Sequence, residues 1–374
     1  MTPTTTIPFY PLKEYLERHR DLVESAATSI IDSGYVIGGE AVEKFESDFA
    51  EFTAAKHAVG VANGLDAIRL ALEALGVGPG DEVIVPAFTF IATWLAVTQV
   101  GATPIAVDVS TETAGMNIID LPITKKTKAV IFVHLYGYPT DLTNLAIDLK
   151  NQGVFLIEDC AQAQGAKVGG KHVGTFGDAG CFSFYPTKNL GAIGDAGGVI
   201  TNNAEISKSL KSLRSYGAGK SKYDHVDLGM NSRLDPIQAT FLSARLGNLE
   251  EENKSRSQIA AKITKSLATT ASLKPLQRET TGIDVFHLFV VTCNGNREKF
   301  QRKLLEFGIQ TDVHYPKAIH QQACYLTPEY SYLKSSHYPV SEYLAANVLS
   351  LPNFPWMDEE RLNHMTNSLL KLND

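Results

Sequence analysis

Apolar residues in this chain recur in two rhythms, one helical and one of short buried strands. After Gly38-Gly39, Phe45, Phe49 and Phe52 recur at helical spacing. A second helix is predicted after Asn63-Gly64, with Leu65, Ile68, Leu72 and Leu75 along one side. It stops at Gly76, where G-V-G-P-G-D makes a turn. E-V-I-V-P then reads as a buried strand, residues 89–100 as a helix and T-P-I-A-V-D as another strand. A-V-I-F-V-H-L, V-F-L-I-E-D, A-G-C-F-S-F and G-G-V-I-T continue the series. Short apolar strands separated by helices predict an α/β fold, its mostly parallel sheet covered on both faces.

The texture changes near Asp235. From Pro236 to about Leu267 the pattern is that of one long helix, rich in charge after Glu250. F-H-L-F-V-V-T-C reads as a strand, residues 297–307 as a helix, the stretch near Ile309 as a strand and the segment after Asp358 as a last helix. This predicts a large domain over residues 1–245 and a smaller α+β domain over 246–374, with the long helix as connector.

Composition narrows the class. The 374 residues are 44% hydrophobic and 20% charged, with a net charge of -7. There is no Lys/Arg block, so nucleic acid is not an expected partner. No stretch is apolar enough to span a membrane. Cys160, Cys181, Cys293 and Cys324 form no C-x-x-C pair and read as reduced thiols. The N-terminus lacks a basic segment followed by an apolar run, so it does not read as a secretory signal. A cytoplasmic enzyme is the expectation. His314 and His320 lie six residues apart with no cysteine or acid pattern beside them, and no metal is expected.

In an open α/β sheet, ligands bind beyond the carboxyl ends of the strands, and polar groups collect at several such ends here. Asn63-Gly64-Leu65-Asp66 opens a helix, where free N–H groups suit a phosphate; a plain N-cap with a turn glycine is the other reading. Asp159 follows V-F-L-I-E and suits a protonated pyridine nitrogen; a solvated loop acid or a helix cap is the alternative. Gln162 is placed to meet the same ring. In F-S-F-Y-P-T-K-N-L-G, Lys188 follows a buried strand and precedes a glycine turn. Pyridoxal phosphate (PLP) requires such an amine, first for a Schiff base and then as proton shuttle. Ser183 offers a hydroxyl to the phosphate or faces a sheet neighbour. Phe90, in P-A-F-T-F, stacks on the ring or belongs to the core.

These residues, in this order, resemble the sugar-nucleotide aminotransferases of the DegT–DnrJ–StrS family. The resemblance runs through nearly the whole chain, including A-N-G-L-D-A, G-P-G-D-E-V-I-V-P-A-F-T-F, I-E-D-C-A-Q-A, F-S-F-Y-P-T-K-N-L-G, G-M-N-S-R-L-D-P-I-Q-A and H-Y-P-K-A-I-H. It implies a fold-type I PLP enzyme with a mixed, mainly parallel sheet and a small C-terminal domain. By the same resemblance Lys188 bonds the cofactor, Asp159 pairs with its pyridine nitrogen, and Gln162 and Phe90 contact its ring. Gly64, Leu65, Asp66 and Ser183 hold the phosphate. Asn231 reaches that phosphate from a partner subunit, which implies a homodimer with shared sites. Tyr185, Arg233, His314, Tyr315 and His320 are the substrate-side positions implied. Members that lack the lysine act as dehydratases, and Lys188 is present. The amino donor implied is L-glutamate, with pyridoxamine phosphate (PMP) as the intermediate form of the cofactor. A-N-G-L-D-A and T-F-I-A-T-W-L-A look most like the subgroup acting on dTDP-linked 3-keto-6-deoxyhexoses, which makes sugars of the Fuc3N or Qui3N type found in O-antigens. A 4-keto substrate, or a non-catalytic regulator on the same fold, is the alternative.

Overall fold

The computed structural model describes residues 6–221, 223–278, 281–335 and 337–373. The first five residues of the N-terminus read above lie outside the described residues.

Seven strands form the main sheet: β1 His57–Val61, β2 Glu82–Pro86, β3 Thr103–Val107, β4 Thr127–Val133, β5 Phe155–Asp159, β8 Ala179–Ser183 and β9 Gly197–Thr201. Between β5 and β8 lies a two-residue-per-strand hairpin, β6 Lys167–Val168 and β7 Lys171–His172. The main order is β1-β9-β8-β5-β4-β2-β3. Pairing is parallel from β3 through β2, β4 and β5 to β8, whereas β9 runs antiparallel to both β8 and β1. This is the mixed, mainly parallel sheet expected of fold-type I.

Successive side chains of a strand point to opposite faces, and the sequence fills both. Cys181 and Val199 pack into one core with Val59, Val61 and the helix Gly64–Ala74. Their chain neighbours Phe182 and Ile200 pack into another with Phe45, Phe49, Leu242 and Leu246. Phe45 and Phe49 come from the helix Glu40–Thr53, foreseen from their spacing. Phe49 meets Phe182 and Phe184 edge-on at 5.0 and 5.2 Å.

The single helix expected from Pro236 to Leu267 is two helices, Pro236–Leu246 and Leu249–Leu267. The break falls at Gly247-Asn248, two weak helix formers. Across it, Arg245 of the first helix pairs with Glu252 of the second and donates to the Tyr15 hydroxyl at 2.8 Å. Beyond it, β10 Leu273–Pro275, β11 Phe289–Cys293 and β12 Val348–Leu351 form an antiparallel sheet in the order β10-β11-β12. The strand expected near Ile309 is only a single parallel bridge, Ile309 to Ile7. It carries two hydrogen bonds, Ile7 N–H to the Gly308 carbonyl at 2.8 Å and Gln310 N–H to the Ile7 carbonyl at 2.9 Å. Ile7 thereby packs among C-terminal residues such as Ile263, Val291 and Leu349. Among the described residues, no helix is long and apolar enough to cross a membrane. The four cysteines are unpaired.

Candidate active site

Because β9 is reversed, it starts at the edge where β1, β2, β5 and β8 end. Gly197 pairs with Val61 on one side and Ser183 on the other. The loops leaving this edge surround a cavity of about 470 Å³, which C-terminal residues such as His287, His314 and Tyr315 close from the other side.

Gly64 and Leu65 open a helix here and line the cavity. The first N–H groups of a helix have no partner within it. Asn63 is also the N-cap, its Oδ1 accepting from the Asp66 N–H at 2.9 Å. That engagement removes Asp66 from the expected phosphate set. Its carboxylate instead accepts from the Ser232 hydroxyl at 2.7 Å, and Asp66 is not part of the lining. The backbone around this turn is crowded. A Cβ on Gly64 would stand 2.7 Å from the Ser183 Cβ, and one on Gly197 would stand 2.3 Å from the Asn63 carbonyl oxygen. Bare backbone at both points lets strand and helix start pack directly together, with Gly64, Leu65 and Ser183 on the cavity wall.

Asp159 ends β5, buried beneath the cavity. Thr93 donates to its Oδ2 at 2.9 Å and the Ala161 N–H to its Oδ1 at 3.1 Å. Burial raises its pKa, opposed by these hydrogen bonds and by the positive charge of Lys188. Among the described residues it forms no ion pair. Lys188 lies in the loop after β8 and lines the same cavity. Burial pushes its amine down to about 8, with Asp159 pulling the other way. Gln162 lines the cavity and ties two segments together: its Oε1 accepts from the Tyr136 N–H at 2.7 Å, and its Nε2 donates to the Tyr315 hydroxyl at 2.9 Å. Phe90 is half-exposed into the cavity, 5.5 Å from the Tyr315 ring, so the core reading of this residue does not hold.

Tyr185, His314 and Tyr315 also line the cavity. His314 stacks on Phe9 at 5.5 Å and meets Ser350 Oγ through Nδ1 at 2.9 Å. His320 does not line it: its Nε2 lies 3.1 Å from Glu342, under the Tyr338 ring. Asn231 and Arg233 stand apart on an exposed hairpin, closed by bridges from Ser215 to Asn231 and Ala218 to His225. Trp94 of the T-W-L-A motif is fully buried and donates to the Pro86 carbonyl at 2.8 Å, so it supports the cavity wall from behind. Sequence reasoning missed Thr93, His287, Asp195, Phe9 and Tyr10, the last four of them lining residues. Only the Thr89–Thr93 pair, one helical turn apart beside P-A-F-T-F, offered a cue.

Behind Asp159, His134, Glu158 and Cys160 bring ligand-type atoms within 4.8 Å of one another. Glu158 is already engaged. It accepts from the N–H groups of Gly174, Phe176 and Gly177 at 2.7, 2.7 and 2.8 Å and faces His134 Nε2 at 3.0 Å. Glu158 thereby secures the loop before β8.

This arrangement fits PLP. A buried carboxylate without a cation suits a protonated ring nitrogen, a helix start beside the Ser183 hydroxyl suits a phosphate, and an amine of lowered pKa suits the aldehyde.

Comparison with known proteins agrees. Residues 18–370 match the DegT/DnrJ/EryC1/StrS aminotransferase family. The chain is 42% identical to the dTDP-3-amino-3,6-dideoxy-alpha-D-galactopyranose transaminase of Aneurinibacillus thermoaerophilus, over 97% of this chain and 98% of that one. It is also 42% identical to the UDP-N-acetyl-3-dehydro-alpha-D-glucosamine 3-aminotransferase of Acidithiobacillus ferrooxidans, over 97% and 96%. The crystal structure of Streptomyces venezuelae DesV superposes with a TM-score of 0.92 at 38% identity, covering 99% of each chain. Solved relatives hold the amino form of the cofactor, PMP.

Proposed function

The chain belongs to the DegT/DnrJ/EryC1/StrS aminotransferase family, and from that premise we propose that it moves the amino group of L-glutamate to a dTDP-linked 3-keto-6-deoxyhexose, giving a 3-amino-3,6-dideoxyhexose. The enzyme is a PLP-dependent sugar-nucleotide aminotransferase. The observation that carries the reading is the meeting of Lys188 and Asp159 in one cavity beside the helix start at Gly64-Leu65 and the Ser183 hydroxyl.

When bound, PLP supplies an aldehyde that exchanges amines and a ring that takes up the electron pair left at the reacting carbon. The protein does the rest. Lys188 carries the cofactor. Once displaced, its amine takes the proton from the α-carbon of glutamate and delivers it elsewhere in the same site, then reverses these roles with the keto-sugar. A pKa near 8 suits both directions, since the amine is then partly protonated near neutrality. Asp159 holds the pyridine nitrogen in its charged form. Gly64, Leu65 and Ser183 hold the phosphate, Gln162 and Phe90 bracket the ring, and Tyr185, His314 and Tyr315 face the sugar. The nucleotide, bound outside the reacting pocket, supplies remote binding energy and orientation.

The choice of a 3-keto sugar rests on A-N-G-L-D-A and T-W-L-A together with the Aneurinibacillus relative. The Acidithiobacillus relative is named for a UDP sugar, so the test includes UDP as well as dTDP donors. Borohydride reduction and peptide mapping should put the pyridoxyl label on Lys188; a label on another lysine sinks the cofactor assignment. A panel of 3-keto and 4-keto sugar nucleotides, with products read by nuclear magnetic resonance (NMR), tests the substrate. Nitrogen on carbon 4, or preference for a UDP or GDP sugar, overturns it.

A further inference from the structure

Thr93 is fully buried behind the cavity wall and takes no part in the steps above. Its place is fixed by its chain neighbour. Both residues stand in the first turn of the helix Ala92–Gln99, where Trp94 donates to the Pro86 carbonyl at 2.8 Å and meets Tyr325 edge-on at 5.1 Å. Trp94 thereby ties the helix to the end of β2, and the Thr93 hydroxyl donates to Asp159 Oδ2 at 2.9 Å. Thr89, four residues earlier and on the cavity wall, brings its own hydroxyl within 3.2 Å of that of Thr93.

The hydrogens of this pair can be located. A hydroxyl has one hydrogen, and an ionised carboxylate can only accept. With Asp159 ionised, the Thr93 hydrogen is committed to Oδ2, so Thr89 must donate to Thr93. The Ala161 N–H donates to Oδ1 at 3.1 Å. Each oxygen of Asp159 therefore has its own donor, and turning the carboxylate out of this plane loses both. The titratable groups around it are Lys188 from the loop after β8, His134 next to the end of β4, Glu158 and Cys160 on either side in the chain, Cys181 of β8, and Tyr315. Among the described residues, Thr93 is the one side chain that hydrogen-bonds the Asp159 carboxylate.

We propose that Thr93, its hydroxyl ordered by Thr89, is a positioning residue that acts through Asp159: it holds the carboxylate ionised and in one plane, so that a cofactor ring nitrogen bound there stays protonated. The inference rests on Asp159 being the partner of that nitrogen.

Two measurements test it. In the full chain freed of cofactor and labelled with ¹³C-aspartate, the Asp159 carboxyl is assigned by its loss in Asp159→Asn. It should titrate about one unit higher in Thr93→Val than in the wild type, a tenfold shift toward the neutral acid. Thr93→Ser keeps the donor and should return most of that shift. Thr89→Val removes the donor to Thr93 and should raise the midpoint by less; this variant serves if Thr93→Val does not fold. In the chain loaded with PLP carrying ¹⁵N in its ring, Thr93→Val should move the ring resonance toward that of neutral pyridine, and Thr93→Ser should not. Valine keeps the shape of threonine, so a role in packing alone would move neither value. Unchanged titration midpoints, or an unmoved ring resonance, overturn the proposal. The titration needs no cofactor, so the two claims separate. A shifted Asp159 with an unprotonated ring nitrogen in the wild type defeats the Asp159 reading, whereas an unshifted Asp159 with a protonated ring defeats only the role of Thr93.

Discussion

At the scale of single residues the site works by opposed burial. Desolvation raises the pKa of Asp159, and the Ala161 N–H, the Thr93 hydroxyl and the charge of Lys188 oppose it. A cationic ring nitrogen completes its pairing. Asp159→Asn keeps the shape and removes the charge, so kcat should fall by at least about a hundredfold with cofactor still bound. Wild-type turnover in steady-state kinetics would end this assignment. Lys188 is displaced the other way, from 10.5 to about 8. Below about 8 its amine is protonated and cannot attack. The rate of PLP bonding to the cofactor-free chain should therefore climb to about pH 8 and level off, where an ordinary lysine would keep climbing past 10. Stopped-flow absorbance from pH 6 to 10 distinguishes the two curves. Asp159 was legible because it closes an apolar strand with a charge, and Lys188 because it sits between a buried strand and a glycine turn. Thr93 and His287 were not: a threonine on a helix and a histidine inside an apolar run break no pattern. Their importance comes from partners 66 and 98 residues away.

Among elements, the decisive contact is where β1, β8 and β9 meet the helix Gly64–Ala74. Strand and helix approach so closely that Gly64 and Gly197 have no room for a methyl. Gly197→Ala should push the Asn63 carbonyl and the helix start outward, weakening PLP retention about tenfold or more while leaving the β10-β11-β12 sheet intact. Equilibrium dialysis against PLP, paired with circular dichroism, checks this; unaltered retention would mean that the helix start does not hold the phosphate. Sequence periodicity located these elements because both faces of the sheet are filled alternately. It failed at Gly247-Asn248 for a related reason. Gly247 (φ -61°, ψ -22°) and Asn248 (φ -97°, ψ -7°) stay near helical backbone angles, so the apolar spacing passes through the break almost undisturbed. The strand expected near Ile309 reduced to one bridge because its partner is a single residue, Ile7.

For the molecule as a whole, the cavity holds Lys188 as its only Lys or Arg among the described lining residues, beside Asp159, Asp195 and Asp312. A phosphate and a nucleotide need more polar and positive groups than that. Asn231 and Arg233 sit on a hairpin whose Tyr223 and Leu228 are 83% and 100% exposed, a surface suited to a second copy. If Asn231 completes the neighbouring site, mixing inactive Lys188→Ala and Asn231→Ala parents creates heterodimers with one site doubly defective and the other intact. Random exchange should then restore about a quarter of wild-type activity; no recovery after confirmed exchange would refute sharing. The bridge between Ile7 and Ile309 has a further consequence, in the order of synthesis. Phe9 and Tyr10 line the cavity just past a residue whose partner is made about 300 residues later. At ~5–20 residues per second that is a wait of roughly 15 to 60 s. The large sheet can form in that interval, but the wall that these aromatics share with His314 and Tyr315 cannot. Ribosome-bound chains stalled short of Ile309 should therefore fail to retain PLP, and released full-length chains should retain it; retention by the stalled chains would show that the wall is dispensable. Phe9 and Tyr10, made before the large sheet, are thus settled after it, and the catalytic chamber is sealed only once Ile309 has been added.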